Sequence, residues 1–474
     1  MCRPFARSWA RYSIRSRYPG ESTRRARRTP APGGGTLITV RGWAAVTAAT
    51  AGLALAVVTM SYLLILTALA IFAFLAADIL AFHATFPRVG GERFHVVRTG
   101  PARRVTVGGE TRVIVTATYH GARGFWGEIL DVLPSGCAVV AGQASLTRWW
   151  TPGETVVLDY TLRVLERGRH TAGPTSLLAV GPLGMSFVRA EMAPGEGFLG
   201  LPPEPSTPYG GSTRALYTRV QGRLNLRRRG FGSEIRSLRP YEASDDIRNV
   251  AWRRSTPEDV LVREYEQEGR QDYVLVFDVS RSMAAGPDGA TALDLAASAG
   301  RLVARLVERS QEDRVGLLSS SGDRVEYLAP GRGQGHFSAV DERLALLNVG
   351  PGGFDVPTVF EELLRRLTVQ THVFVFTALS SPSPRLAVVH RRMTARGHHL
   401  CFFTPDLIRF SSHETEDGRH DAMTWARRLE SDRARARWRL LRGEGIPTFA
   451  YDAYNISGRV LSAYSQVRGW GRVT

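Results

Sequence analysis

The chain has 474 residues, 43% of them hydrophobic, which suits two or three domains with real cores and excludes wholesale disorder. All 61 basic residues are arginine. Without a lysine there is neither a Walker-type phosphate loop nor a Schiff-base nucleophile.

The net charge of +17 sits in two stretches. Residues 1–41 set ten arginines against Glu21, and residues 213–239 set eight against Glu234. The rest is near neutral, unlike a uniformly basic nucleic-acid binder. Cys2, Cys137 and Cys401 are far apart and form no C-x-x-C pair, which fits a reducing compartment and argues against a disulfide framework or a zinc site.

Residues 1–41 form the Arg-rich N-terminus; its first 35, ending in Pro32-Gly33-Gly34-Gly35, are predicted to be disordered. From Trp43 to Ala77 there is no charged residue. One helix of that length would reach ~52 Å, against a hydrocarbon core of ~30 Å. The pattern therefore predicts two transmembrane helices within 42–82, about 42–59 and 62–82, turning near Thr59-Met60-Ser61. The preceding arginines keep the N-terminus cytoplasmic, and the second span returns the chain to the cytoplasm.

Residues 88–200 alternate and are β-branched, as in Thr111–Ala117 and Thr155–Val164, which predicts a small antiparallel β-sandwich. Residues 193–213 are rich in Pro, Gly and Ser and read as the start of a linker, basic through 232. From 269 to 455 short apolar strands alternate with helices, which predicts a doubly wound, mostly parallel α/β sheet. Residues 456–474 are read as a tail.

The sharpest motif is Asp278-Val279-Ser280-Arg281-Ser282-Met283, after the apolar run Tyr273–Phe277. Ligands of open α/β sheets bind at the carboxyl ends of the strands. A turn there can aim the oxygens of Asp278, Ser280 and Ser282 at one point, part of the shell that Mg²⁺ demands. A helix-capping turn explains the same residues. The motif resembles the D-x-S-x-S start of the metal-ion-dependent adhesion site of von Willebrand factor A domains. That resemblance implies two more ligands, a threonine after a Gly-Gly pair and an aspartate closing the fourth strand. Here Phe354 follows Gly352-Gly353, and Ala378 follows Thr377. Asp355, Thr358 or Thr377 is left to substitute. The expectation is Mg²⁺ binding that is weak or absent unless a partner's carboxylate completes it.

The segment 233–268 carries a second signature: Glu234, Leu238, Arg239 and Tyr241, then Asp245, Asp246, Arg248 and Trp252, then Arg263 and Glu264. It resembles the bacterial and archaeal family called domain of unknown function 58, with Ser244 where the family has glycine. Arg167–Pro174 and Gly181–Gly184 also resemble that family's sandwich. Paired arginines and carboxylates of this kind form a clasp between domains or a binding surface, with Tyr241 and Trp252 as apolar anchors. There is no G-x-S-x-G elbow and no H-E-x-x-H. The resemblance implies a membrane-anchored scaffold or adaptor, not an enzyme, whose partner is a MoxR-type AAA+ ATPase. Competing readings are a hydrolase-like enzyme using the Asp278/Ser280 loop and a nucleic-acid binder using the arginines of 214–239, a stretch that can equally attract anionic lipid.

Overall fold

The computed structural model describes residues 37–85, 94–181, 184–203, 235–241, 250–256, 260–265, 271–406 (apart from 311, 323 and 380–384) and, with short gaps, 432–470. The arginine-rich stretches before residue 37 and at 204–234 lie outside the described residues. The chain divides into two compact units, residues 1–89 with 183–190, and all the rest.

In the first unit, β1 (Leu37–Ile38) pairs antiparallel with Ser186 and Phe187. Thr39 then starts α1 (Val40–Thr59), its hydroxyl accepting the Gly42 N–H at 3.1 Å and donating to the Gly184 carbonyl at 2.8 Å. Met60, in the left-handed region at φ 52°, ends α1, and α2 (Tyr62–Thr85) follows. The break falls where the sequence places the turn. The two helices lie against each other. Apart from the buried Asp78, their buried residues recur every seventh position: Gly42, Ala49 and Ala56 on α1, and Ala68, Leu75 and Phe82 on α2. Small residues on one helix admit larger ones from the other. Among the described helices, α1 is long and apolar enough to cross a membrane; α2 is apolar only as far as Asp78.

The second unit begins with β-structure: β2 (Phe94–Thr99), β3 (Arg104–Thr106), β4 (Glu110–Tyr119), β5 (Phe125–Asp131), β6 (Cys137–Gly142), β7 (Ser145–Trp150), β8 (Thr155–Val164), β9 (Gly168–Ala172), β10 (Thr175–Val180), β11 (Ser186–Ala193, its first residues belonging to the other unit) and β12 (Glu196–Leu201). One sheet runs β2-β4-β8-β6, and β5 pairs with β10 and β7 in another. Period-two burial holds: Val113, Val115, Ala117 and Tyr119 of β4, and Val156, Leu158, Tyr160, Leu162 and Val164 of β8, face inward. A third set, β3-β12-β9, contains a parallel pair, β12 with β3. The linker assigned from residue 193 is therefore corrected: Glu196–Gly200 pair with β9 and Leu199–Leu201 with β3, and Phe198, Leu199 and Leu201 are buried.

Inside the sandwich, Asp131 is fully buried. It pairs with Arg98 and accepts the Tyr160 hydroxyl at 2.6 Å and the Thr175 hydroxyl at 2.8 Å. Strands β2, β5, β8 and β10 thus meet at one carboxylate.

The signature segment supplies β13 (Ile235–Pro240) and β14 (Leu261–Tyr265), an antiparallel pair. The α/β domain follows with β15 (Asp272–Asp278), α3 (Ala292–Ser310), β16 (Arg314–Ser321), β17 (Arg324–Gly331), α4 (Gln334–Ala345), α5 (Val356–Arg366), β18 (Thr371–Phe376), α6 (Arg385–Ala395), β19 (His399–Pro405), β20 (Thr448–Tyr451) and α7 (Ile456–Trp470). The strand order is β17-β16-β15-β18-β19-β20, parallel except for the edge strand β17. One face of the sheet is covered by α3, α4 and α7, the other by α5 and α6. The expectation of an α/β domain with a mostly parallel sheet holds. The tail reading of 456–474 does not: Ile456, Val460, Leu461, Ala463, Tyr464 and Val467 are core residues at helical spacing. Residues 421–442 fall largely outside the described residues.

Candidate functional site

The strand order reverses between β15 and β18, and Asp278 ends β15 beside it. That is where an open α/β sheet forms its ligand crevice. Asp278 is fully buried. Its carboxylate accepts the Ser280 N–H at 2.9 Å and the hydroxyl of Thr377, the residue after β18, at 2.7 Å. The Ala378 N–H donates to it as well. Burial pushes its pKa up, and these donors only partly oppose that shift. The hydroxyls of Ser280 and Ser282 lie 2.7 Å apart and bond each other. Fully buried Tyr451 donates to the Ala292 carbonyl at 3.1 Å, and its pKa is held well above the phenol range by burial and by the Asp278 charge.

The neighbouring loop explains the Gly-Gly pair. Gly352 passes so close to the Ser321–Gly322 turn that a Cβ would lie 2.6 Å from the Gly322 nitrogen. The Gly322 N–H then reaches the Gly353 carbonyl at 2.6 Å. Phe354 turns into the core with Val276, Leu318 and Phe360, while Ala378 packs on the opposite face with Phe376 and Phe403.

Asp355 is corrected as a metal-ligand candidate. It caps α5, its carboxylate accepting the Thr358 N–H at 3.3 Å and the Thr358 hydroxyl. Thr358 is thereby bonded to Asp355, and Thr377 holds Asp278 and accepts the Leu379 N–H at 3.0 Å. Mg²⁺ wants carboxylate and water oxygens in a near-octahedral shell. This donor set does not fit it: the carboxylate is buried and hydrogen-bonded, the hydroxyls are paired, and two positions are apolar. Among the described residues no group of three His, Cys, Asp or Glu is placed to hold a metal ion. Ser280 is likewise bonded to Ser282 and not to an imidazole. His398 is buried, and the His399 ring stacks on His372 at 5.2 Å; burial lowers the pKa of both His398 and His399.

Of the signature residues, Glu234, Asp245, Asp246 and Arg248 lie outside the described residues. Leu238 stands opposite Arg263 and Arg239 opposite Val262 in the β13–β14 pair, with Glu264 beside them. The aromatic residues do not act as buried anchors. Trp252 is 66% exposed and Tyr241 37% exposed, although Val250, Ala251 and Val262 around them are buried.

The described clasp between sandwich and α/β domain is made elsewhere. Arg167, in the turn before β9, is half-buried, its side chain 8% exposed; it pairs with Asp294 of α3 at 2.6 Å and donates to the carbonyls of Ala345, at 3.2 Å, and Leu347 at the end of α4. Burial pulls its pKa down, while Asp294 holds it up. Buried Arg301 of α3 reaches the Pro202 carbonyl at 2.5 Å and lies 3.4 Å from Asp341 of α4. Leu199 and Leu201 pack on Ala345 beside them. Sequence reasoning quoted Arg167 only as part of a family pattern; its partners lie more than a hundred residues away.

No curated protein matches the chain. Among solved structures, the conserved hypothetical protein BatB from Bacteroides thetaiotaomicron is 16% identical, with a TM-score of 0.30, over 42% of this chain and 98% of that one. An aerotolerance-related membrane protein from Bacteroides fragilis NCTC 9343, carrying multiple mutations to serines, is 15% identical, with a TM-score of 0.30, over 42% and 99%. The SpRpn10 VWA domain is 13% identical, with a TM-score of 0.27, over 40% and 94%. Residues 237–400, which hold most of the signature pair and the strand, loop and helix around Asp278, match the family model described as Protein of unknown function DUF58.

Proposed function

We propose that the chain is a membrane-anchored scaffold that presents its A-like domain to a protein partner and carries out no catalysis of its own. The observation behind this reading is Trp252: a large aromatic side chain, 66% exposed, on a segment whose backbone is pinned by the Ala251 N–H bond to Leu261 and the buried Val250 and Val262. A rigidly held, solvent-facing tryptophan is the kind of residue that dominates protein interfaces. The Asp278 loop, with its hydrogen-bonding groups paired internally, serves in this reading as a structural turn that fixes the surface around it.

The partner class follows from the family resemblance: a MoxR-type AAA+ ATPase at the membrane. Both α1 and α2 span the bilayer as a hairpin, and the arginines of residues 1–41 hold the N-terminus, and with it the large second unit, on the cytoplasmic side. Pull-down of the full chain from native membranes tests the scaffold reading. The wild type is expected to retain an AAA+ protein, and Trp252→Ala to weaken that capture about 30-fold, the loss typical of an interface hot spot of ~2 kcal/mol. Equal capture by both chains removes Trp252 from the interface.

A further inference from the structure

Residues 252–254 form a turn that is tied down at both ends. Before it, the Ala251 N–H bonds the Leu261 carbonyl of β14 at 2.8 Å. Across it, the Ala251 carbonyl accepts the Arg254 N–H at 2.8 Å and the Ser255 N–H at 3.0 Å. After it, the Ser255 hydroxyl accepts the Leu261 N–H at 2.9 Å and donates back to the Ala251 carbonyl at 3.1 Å. From this fixed backbone three consecutive long side chains, Trp252, Arg253 and Arg254, are all exposed. Among the described residues neither guanidinium makes an ion pair or a hydrogen bond, and the indole makes no ring contact. Exposed arginines elsewhere in the same unit are answered by the chain itself: Arg163 by Glu110 at 2.6 Å, and Arg324 by Glu326 at 2.7 Å.

A lone solvent-facing arginine is ordinary. An indole held out of the core beside two unanswered guanidiniums is not, and Trp and Arg are the side chains whose loss costs most at protein interfaces. The ring needs an apolar cover. The guanidinium's planar fork of donors fits a carboxylate through two parallel hydrogen bonds. A salt-steep nucleic-acid contact neutralises about 6–10 phosphates, whereas this turn offers two cations and one ring. The chemistry therefore favours a protein surface with an apolar centre and an acidic edge.

We propose that the partner docks such a surface on this turn: Trp252 fills an apolar pocket, and Arg253 and Arg254 pair with Asp or Glu carboxylates at its edge. This rests on the reading of Trp252 as an interface residue and adds the sign of the partner's charge. Complementary charge of this kind also steers encounter, so association is faster at low ionic strength.

The composition of the chain supplies the probe, because it contains no lysine. Arg253→Lys and Arg254→Lys each install a single side-chain amine, which a carbodiimide couples to a carboxylate in direct contact. The full-length variants are treated in native membranes, solubilised and pulled down, and the coupled peptides are sequenced. The expected product joins residue 253 or 254 to an Asp or Glu of the partner, and its yield falls when Trp252→Ala is added. Arg253→Glu combined with Arg254→Glu is expected to weaken capture at least about tenfold, as loss of close interfacial charge pairs does. Arginine placed at the mapped partner carboxylates is expected to restore it. Coupling to a carboxylate of this chain, Glu258 and Asp259 being the nearest in sequence, overturns the proposal, because the arginines then find their counter-charge at home. Capture that survives charge reversal overturns it too, as does capture lost on nuclease digestion, which would make phosphate the ligand. If the wild type retains no partner, the scaffold reading falls with it. If Trp252-dependent capture persists with no coupling at either position, the acidic edge alone is lost.

Discussion

At Asp278 burial and hydrogen bonding pull against each other. Burial raises the carboxyl pKa, while donors from Ser280, Thr377 and Ala378 lower it, and burial prevails. An acid whose folded pKa lies above its unfolded one holds its proton more tightly in the fold, so ionising it costs stability. That cost is absent below the unfolded pKa, grows as pH rises, and is complete above the folded pKa. Asp278→Asn removes it and keeps an acceptor for the Ser280 N–H. The variant should melt higher than wild type at pH 8, with the difference shrinking as the pH is lowered toward the acid range. A series of melting curves across pH checks this. A variant less stable at every pH would show that the carboxylate is held as an anion by a cation, and the misfit with Mg²⁺ would have to be abandoned.

At the scale of elements, Arg167 joins a turn of the sandwich to α3 and α4. Removing one partner of a buried ion pair leaves the other charge uncompensated, at about 3–5 kcal/mol. Arg167→Ala should therefore split the unfolding of the second unit, with sandwich and α/β domain melting separately and protease cutting between them. A single transition at an unchanged temperature would show that Leu199, Leu201 and Arg301 suffice. Much of the element order was legible because period and composition carry it: the buried strands from Tyr273 and Thr371, the helix from Ala292, and the break at Met60 are local properties. The metal-loop resemblance was legible for the same reason, as a run of six residues. What escaped is non-local. Thr377 holds Asp278 across 99 residues, Arg167 finds Asp294 across 127, and Asp355 spends its carboxylate on Thr358 because a helix happens to start there. The strand at Glu196–Leu201 was hidden because Pro and Gly crowd both its flanks, and the helix from Ile456 because serines and glycines dilute its apolar stripe.

For the molecule as a whole, the seven-residue stripes of α1 and α2 support a close helical pair, and the hairpin reading adds a sidedness. Reporter fusions joined after residue 90, and protease protection of sealed vesicles, should place the sandwich on the cytoplasmic side. An external reporter would leave a single span and reverse the compartment read from the cysteines, of which Cys137 and Cys401 are free, their thiol pKa values pushed by burial up to about 11 and about 12.

The packing of α7 also sets a schedule for synthesis. The Tyr273 ring of β15 stacks on Tyr464 at 5.4 Å, and Val460 and Val467 close the same face of the sheet. At ~5–20 residues per second, a ribosome takes about 10–40 s to travel from residue 273 to residue 464. Throughout that interval the part of the first strand that α7 covers, around Tyr273, stays exposed. A chaperone that holds this strand would have its opportunity then, and it would have to let go once the last helix emerges.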